Sequence, residues 1–263
     1  MASRLLTRDL ASIVYPSEDG QPMAESDFQR TPLMYAVEAL RRHFRDRSDV
    51  YVSGNLFIYY REGSPRSQVA PDVFVVFGAP NHDRCSYLLW QEPKAPDWVL
   101  EITSHSTRQK DQYRNPRLYA ALGVGEYWQY DPTQDYLVPA LQGSQLLGKR
   151  YVRLAERWSP DGTLVVASPV LGLELHLTAE GLRFVDPQTG QRLRNYDETE
   201  HERQAAEQAH QAAEQARQAA EQARQAAELA RQREQQAHQE TAAALQAALA
   251  RLSAMEARAS EQS

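Results

Sequence analysis

The chain has 263 residues, 42% of them hydrophobic and 24% charged, with a formal net charge of −6. That length allows one or two domains, and a single cysteine, Cys85, excludes an intrachain disulfide or a cysteine-rich zinc site. No run of about 18 apolar residues occurs and the N-terminus MASRLLTRDLASIVYPSEDG has no sustained apolar stretch, so neither a membrane span nor export is expected and a soluble, cytoplasmic protein is.

The first expected element is a helix over about Pro32 to Phe44. Leu33, Val37, Leu40 and Phe44 recur there at helical spacing, and Thr31 with Pro32 reads as a cap followed by an N1 proline. Arg41, Arg42, Arg45 and Arg47 on this helix and its exit read as a solvated face. YVSGNLFIYY, Tyr51 to Tyr60, reads as one strand, and Gly63, Ser64 and Pro65 break the chain after it. VAPDVFVVF, Val69 to Phe77, reads as a second strand enclosing Asp72, with Pro71 marking an edge or a strand start.

A loop at Gly78 to Asp83 and a stretch bounded by Pro93 and Pro96 lead to WVLEITS, Trp98 to Ser104. Val99, Leu100 and Ile102 around Glu101 leave no polar face, as in a strand covered on both sides. A helix is expected from Pro116 to Leu122, with Asn115 as its cap and Gly123 as its stop. Arg108, Lys110, Arg114 and Arg117 near it form either a local basic groove or a solvated face. Glu126 to Tyr130 returns as a strand that Asp131 and Pro132 end, which completes a mixed α/β core. Short strands then follow at Tyr136 to Leu141, Gln145 to Leu154, Thr163 to Ala167 and Leu173 to Leu177, with a hairpin around Asp186 to Gly190. This β appendage holds no separate catalytic constellation, and His176 in it reads as an exposed strand residue.

Composition changes abruptly at Tyr196. All 14 Pro, all 12 Gly and every Trp, Tyr and Phe lie at or before it, whereas Asp197 to Ser263 is mostly Ala, Gln, Glu and Arg and carries 12 acids against 7 arginines. The tail therefore holds most of the net charge and cannot build a core alone. It repeats QAAEQAH, QAAEQAR, QAAEQAR, QAAELAR, which puts Ala205, Ala209, Ala212, Ala216 and their successors on one helical stripe. A helix of about 60 residues would reach roughly 90 Å. It stands either as a solvated single helix or as a coiled coil; an alanine seam buries little, so a homo-oligomer would lean on Leu245, Leu249, Leu252 and Met255. The expected division is an N-terminal extension 1–21, a folded domain 22–196 and a helical or coiled-coil tail 197–263.

Asp72 and Glu101, one in each of two neighbouring apolar runs, carry the functional argument. Buried carboxylates are costly unless a cation meets them, and two on adjacent strands can share a divalent ion such as Mg²⁺, which takes hard oxygen ligands and keeps several waters. The carbonyl of Ile102 is a further ligand candidate. Structural acids paired with arginine or tyrosine are the competing explanation.

PDVFVVFG at Pro71 to Gly78, APDWVLEITSHST at Ala95 to Thr107 and LYAALGVGEYWQYDP at Leu118 to Pro132 resemble the Uma-type putative restriction endonuclease family of the PD-(D/E)XK nuclease superfamily. YVSGNLFIYYREG upstream and YLVPALQGSQLL, SPVLGLEL and LRFVDPQTG downstream fit the same pattern, so the resemblance runs from about Pro22 to Gly190. It implies an α/β fold with a restriction-endonuclease-like mixed sheet flanked by helices, a β-rich C-terminal extension and, outside the resemblance, the long helix. It also implies DNA as substrate, Mg²⁺ or Mn²⁺ as cofactor, and Asp72 and Glu101 as the acids that hold it. The family lysine falls four residues before Tyr119, where this chain has Asn115, and Thr103 stands two residues after Glu101. Lys110 is the nearest substitute for that catalytic lysine, provided residues 108–115 form a loop. His105 and Gln29 replace a common proline and a common histidine of the family, and Glu25 reads as a cap or surface residue. Two functions remain open: a Mg²⁺-dependent endonuclease, or a degenerate nuclease fold that binds nucleic acid or protein.

Overall fold

The computed structural model describes residues 14–16, 26–104 and 107–260, with side chains as far as Arg251. Most of the expected N-terminal extension, Glu25, His105 and the side chains of Leu252 and Met255 lie outside the described residues.

Helix α1 (Asp27–His43) begins well before Pro32 and runs through it. The one hydrogen bond that proline cannot donate is outweighed by the stripe Tyr35, Ala36, Ala39 and Leu40, all buried against the sheet. The expected strand from Tyr51 to Tyr60 is two strands, β1 (Val50–Ser53) and β2 (Ile58–Tyr59), in different sheets. Asn55 between them takes a φ of 50°, and this left-handed residue turns the chain out of the first sheet. β2 lies between β3 (Gln68–Val69) and β5 (Tyr87–Leu88) in a small sheet of three strands.

The central sheet has six strands in the order β1, β4 (Val73–Phe77), β6 (Trp98–Ile102), β7 (Glu126–Tyr130), β8 (Leu141–Leu147) and β9 (Arg150–Arg153). Within it β6 and β7 are parallel, so a crossover must join them, and that crossover is helical. It contains a π-helical turn, Lys110–Arg114, that passes directly into α2 (Asn115–Leu122). Gly123 ends α2 with a φ of 81°, the left-handed stop expected of it.

Alternation divides the sheet's side chains between two cores. Val73, Val75, Trp98, Leu100, Ile102 and Trp128 face α1 and the C-terminal β region. Phe74, Val76, Val99 and Tyr127 face Tyr119 of α2 and the small sheet. The C-terminal sheet is an antiparallel meander, β10 (Glu156–Trp158), β11 (Leu164–Ser168), β12 (Leu173–Thr178) and β13 (Gly181–Val185).

No strand forms at Tyr136 to Leu137. The Asp131 carboxylate gathers four backbone N–H groups there, from Thr133, Gln134, Tyr136 and Leu137, and holds the segment as a turn. The hairpin expected around Asp186 reduces to one bridge, Val185 to Arg192. His176 meets Glu174 on its own strand at 2.9 Å.

The chain divides into two units, residues up to Tyr196 and residues from Asp197 onward. The second is built from one helix, α3 (Tyr196–Ser260). No helix among the described residues is long and apolar enough to cross a membrane.

Candidate functional site

β4 and β6 pair antiparallel with Val73 opposite Leu100, so Asp72, one residue ahead of β4, comes beside the C-terminal end of β6. There the N–H of Ile102 donates to Asp72 Oδ2 at 2.6 Å. Asp72 is not inside a strand, as its apolar surroundings imply. It occupies a half-buried bend at the strand's mouth, where the strand start marked by Pro71 leaves its carboxylate at the open end of the sheet.

Gly54 permits this arrangement. The N–H of Asn55 donates to the carbonyl of Pro71 at 3.0 Å, and a Cβ at position 54 would lie 2.4 Å from the Asp72 carbonyl oxygen and 2.8 Å from Val37 Cγ2. A residue without a side chain is needed for the loop to rest on the backbone of Asp72.

Glu101 is buried on β6 and reaches toward the helical crossover. Its Oε1 accepts from the Tyr119 hydroxyl at 2.7 Å and from Asn115 Nδ2 at 2.9 Å. The same Nδ2 donates to Asp111 Oδ1 at 3.1 Å, so one amide bridges two carboxyl groups. Asp111, Asn115 and Tyr119 recur at four-residue spacing, and all three are buried. Asp111 was not singled out from the sequence, yet this spacing with Asn115 and Tyr119 is the signal that marks it.

Asn115 is not a helix cap. It has φ −60° and ψ −45°, and its N–H reaches back five residues to the carbonyl of Lys110. This wide turn relieves the clash that Pro116 would otherwise make with the preceding turn, so the helix continues through a position that proline normally disfavours. The loop on which a catalytic Lys110 depends therefore does not form. Lys110 is exposed on a helical turn, and its charge is the least of the influences acting on Glu101. The structure brings Asp72, Glu101 and Ile102 together and leaves Lys110 at the surface. Gln29 Nε2 points at the Ile102 carbonyl from 3.5 Å, the long limit of a hydrogen bond.

The electrostatics are those of crowded acids. Burial pushes the Glu101 carboxyl well above its ordinary range, and the charges of Asp72 and Asp111 push it further. Burial also lifts Asp111 to about 6, against the hydrogen bonds from Thr107 and Asn115 and the charge of Lys110. Tyr119, raised by burial and by Glu101, stays a hydroxyl donor at neutral pH.

These residues fit a divalent cation. Two carboxylates and a backbone carbonyl supply the hard oxygen donors that Mg²⁺ and Mn²⁺ prefer, and no arginine or lysine forms an ion pair with Glu101 or Asp111 among the described residues. Three buried polar atoms around Glu101 also have no partner: Thr103 Oγ1, Asn115 Oδ1 and Gln129 Nε2, the last on the residue paired with Glu101 across β7. Such atoms are expected where a bound group and its waters complete the site. Among the described residues no three His, Cys, Asp or Glu side chains form a metal-binding group, so water would have to fill most of the shell.

Residues 20–179, more than half of the chain, match the family described as "Uma2: Putative restriction endonuclease". The chain belongs to the Uma2 family. A solved structure described as "a putative nuclease belonging to DUF820", from Anabaena variabilis ATCC 29413, is similar over 59% of this chain and 81% of that one, with 16% identity and a TM-score of 0.42. No curated protein sequence matches the chain. Uma2 membership supports a restriction-type nuclease, a class whose substrate is nucleic acid and whose members generally use divalent metal ions.

Proposed function

We propose that this Uma2 protein is an endonuclease that hydrolyses DNA phosphodiester bonds at the Asp72 and Glu101 site, with Mg²⁺ or Mn²⁺ held by those carboxylates and the Ile102 carbonyl. The observation that carries it is the convergence of two acids at one sheet end, with partnerless polar atoms around them. A divalent ion there supplies a lowered pKa for an attacking water and neutralises charge on the phosphodiester. The Ile102 N–H fixes the Asp72 carboxylate beside the Ile102 carbonyl. Tyr119 and Asn115 spend their donors on Oε1 of Glu101, which orients the carboxyl group and leaves Oε2 for the ion. In the reaction the water oxygen bonds to phosphorus and its proton passes to solvent, while one phosphorus–oxygen ester bond breaks and the departing sugar oxygen takes up a proton from solvent to leave as a hydroxyl.

The test is Mn²⁺-dependent nicking of supercoiled plasmid beside calorimetric titration with Mn²⁺. Asp72→Ala and Glu101→Ala should each lose nicking by more than about a hundredfold and lose the heat of Mn²⁺ binding. Equal nicking by all three proteins would reject the reading.

A second reading, a degenerate nuclease fold that only binds, is favoured by Asn115, whose amide bridges Glu101 and Asp111 without charge or an acidic proton. Asn115→Lys separates the two. Nicking that appears only in this variant assigns the parent to the binding role, whereas nicking already present in the parent assigns it to the enzymes.

A further inference from the structure

The crossover helix has a second face, opposite the one that holds Glu101. Lys110, Tyr113, Arg114 and Arg117 are all exposed on it, with Tyr113 retaining 64% of its accessible surface. The segment's one acid, Asp111, points inward and is buried, so the outward face carries three cations and no anion.

These cations differ from those on and after α1. On and after α1, Arg30 pairs with Asp27, Arg45 with Asp46 and Arg47 with Asp49, while Arg41 donates to the Val52 carbonyl. On α3, Arg203 pairs with Glu200 and Glu207. Among the described residues Lys110, Arg114 and Arg117 have no such ion pair. The ridge from Lys110 to Arg117 spans about 10 Å at the helical rise, enough for its cations to meet neighbouring phosphates of one nucleic-acid strand. Lys110 stands at the end of the ridge next in sequence to Asp111, and its charge acts on Asp111 and Glu101 from the surface.

We propose that this ridge docks a single nucleic-acid strand, its cations on successive phosphates and the Tyr113 ring stacked on an unpaired base. An exposed aromatic set among unpaired cations has the composition of a single-strand platform, because stacking accepts any base and the cations track the backbone. A paired duplex would use the charges alone and leave the ring in water. The inference rests on nucleic acid being the substrate and narrows that substrate to strands with unpaired bases entering past Lys110.

Fluorescence anisotropy of the full chain in EDTA tests binding without cleavage, using labelled oligo-dT, oligo-rU and a DNA duplex. The unsubstituted chain should bind a single strand more tightly than the duplex. Tyr113→Ala should weaken single-strand binding about tenfold, the scale of one lost stack, and leave the duplex unchanged. The combined Lys110→Gln, Arg114→Gln, Arg117→Gln variant should weaken both and flatten the dependence on salt. A preference for oligo-rU over oligo-dT would name RNA as the strand, and the reverse would name DNA. Tighter duplex binding, no binding at all, or Tyr113→Ala and the triple variant both matching the parent would overturn the proposal. Binding is read in EDTA and nicking in Mn²⁺ on the same unsubstituted chain, so a failure of the catalytic reading appears in nicking and not in this measurement.

Discussion

Two buried glutamates lie on the parallel strands β6 and β7, and their surroundings could hardly differ more. Glu126 opens β7, and its two oxygens accept from Trp128 Nε1 at 2.8 Å, Ser168 Oγ at 2.5 Å and the Val170 N–H at 2.8 Å. It ties the central sheet to the C-terminal β region. Glu101, at the far end of β6, has both donors on one oxygen and two other acids acting on it. Burial raises both carboxyl groups, but at Glu126 donors from three residues oppose it, whereas at Glu101 neighbouring charges add to it. A buried acid surrounded by donors is a structural joint; one surrounded by acids is waiting for a cation or a proton.

The sharpest way to break this contrast is to remove the joint. Glu126→Ala strands the buried Trp128 and Ser168 donors and the half-buried Val170 N–H and should cost about 3–5 kcal/mol in chemical denaturation, with the heat of Mn²⁺ binding unchanged in whatever fraction folds. A loss below about 1 kcal/mol would make Glu126 dispensable to the fold and void the distinction.

Asp111 provides the next test. Its folded-state pKa is raised from 3.8 to about 6, so between those values the folded protein holds a proton that the unfolded chain has released. Stability therefore falls as pH rises through that window, and the penalty is complete above it. Asp111→Asn, which stays neutral and can still accept from Asn115, should gain about 3 kcal/mol or less near pH 7. That gain should fade below about pH 4. A variant that is less stable than the parent at pH 7 would show that Asp111 is stabilised as an anion.

The last test is at Glu101, where no stability should be lost. Glu101→Gln keeps the acceptor for Tyr119 and, as at Asp111, removes a carboxyl that burial and neighbouring acids penalise, so the metal-free protein should be at least as stable as the parent near pH 7, while the Mn²⁺ heat is abolished. Loss of stability on the scale of Glu126→Ala would place both glutamates in one structural class.

The frame of this site was legible because alternation and turn residues act locally. The strand around Glu101, the strand from Glu126 to Tyr130 and the Gly123 stop follow from neighbours a few residues away. What was not legible depends on distant partners. The run from Tyr51 to Tyr60 looks like one strand until the left-handed Asn55 sends its halves to different sheets. Tyr136 and Leu137 have strand-forming side chains, but the Asp131 carboxylate claims their N–H groups first. At the site, proline statistics argue for a cap at Asn115, and only the wide turn that carries the helix through it reveals the amide bridging two acids. Asp111 escaped notice because a charged residue in a basic, polar segment ordinarily faces water.

Gly54 has no functional group, and nothing about the chemistry of hydrolysis would draw attention to it. Yet the backbone that presents Asp72 has no room beside it for even a methyl group. In a saturation screen this position would therefore score like the acids themselves, and a designer moving the acid pair to another scaffold would have to transplant that empty space along with the two side chains.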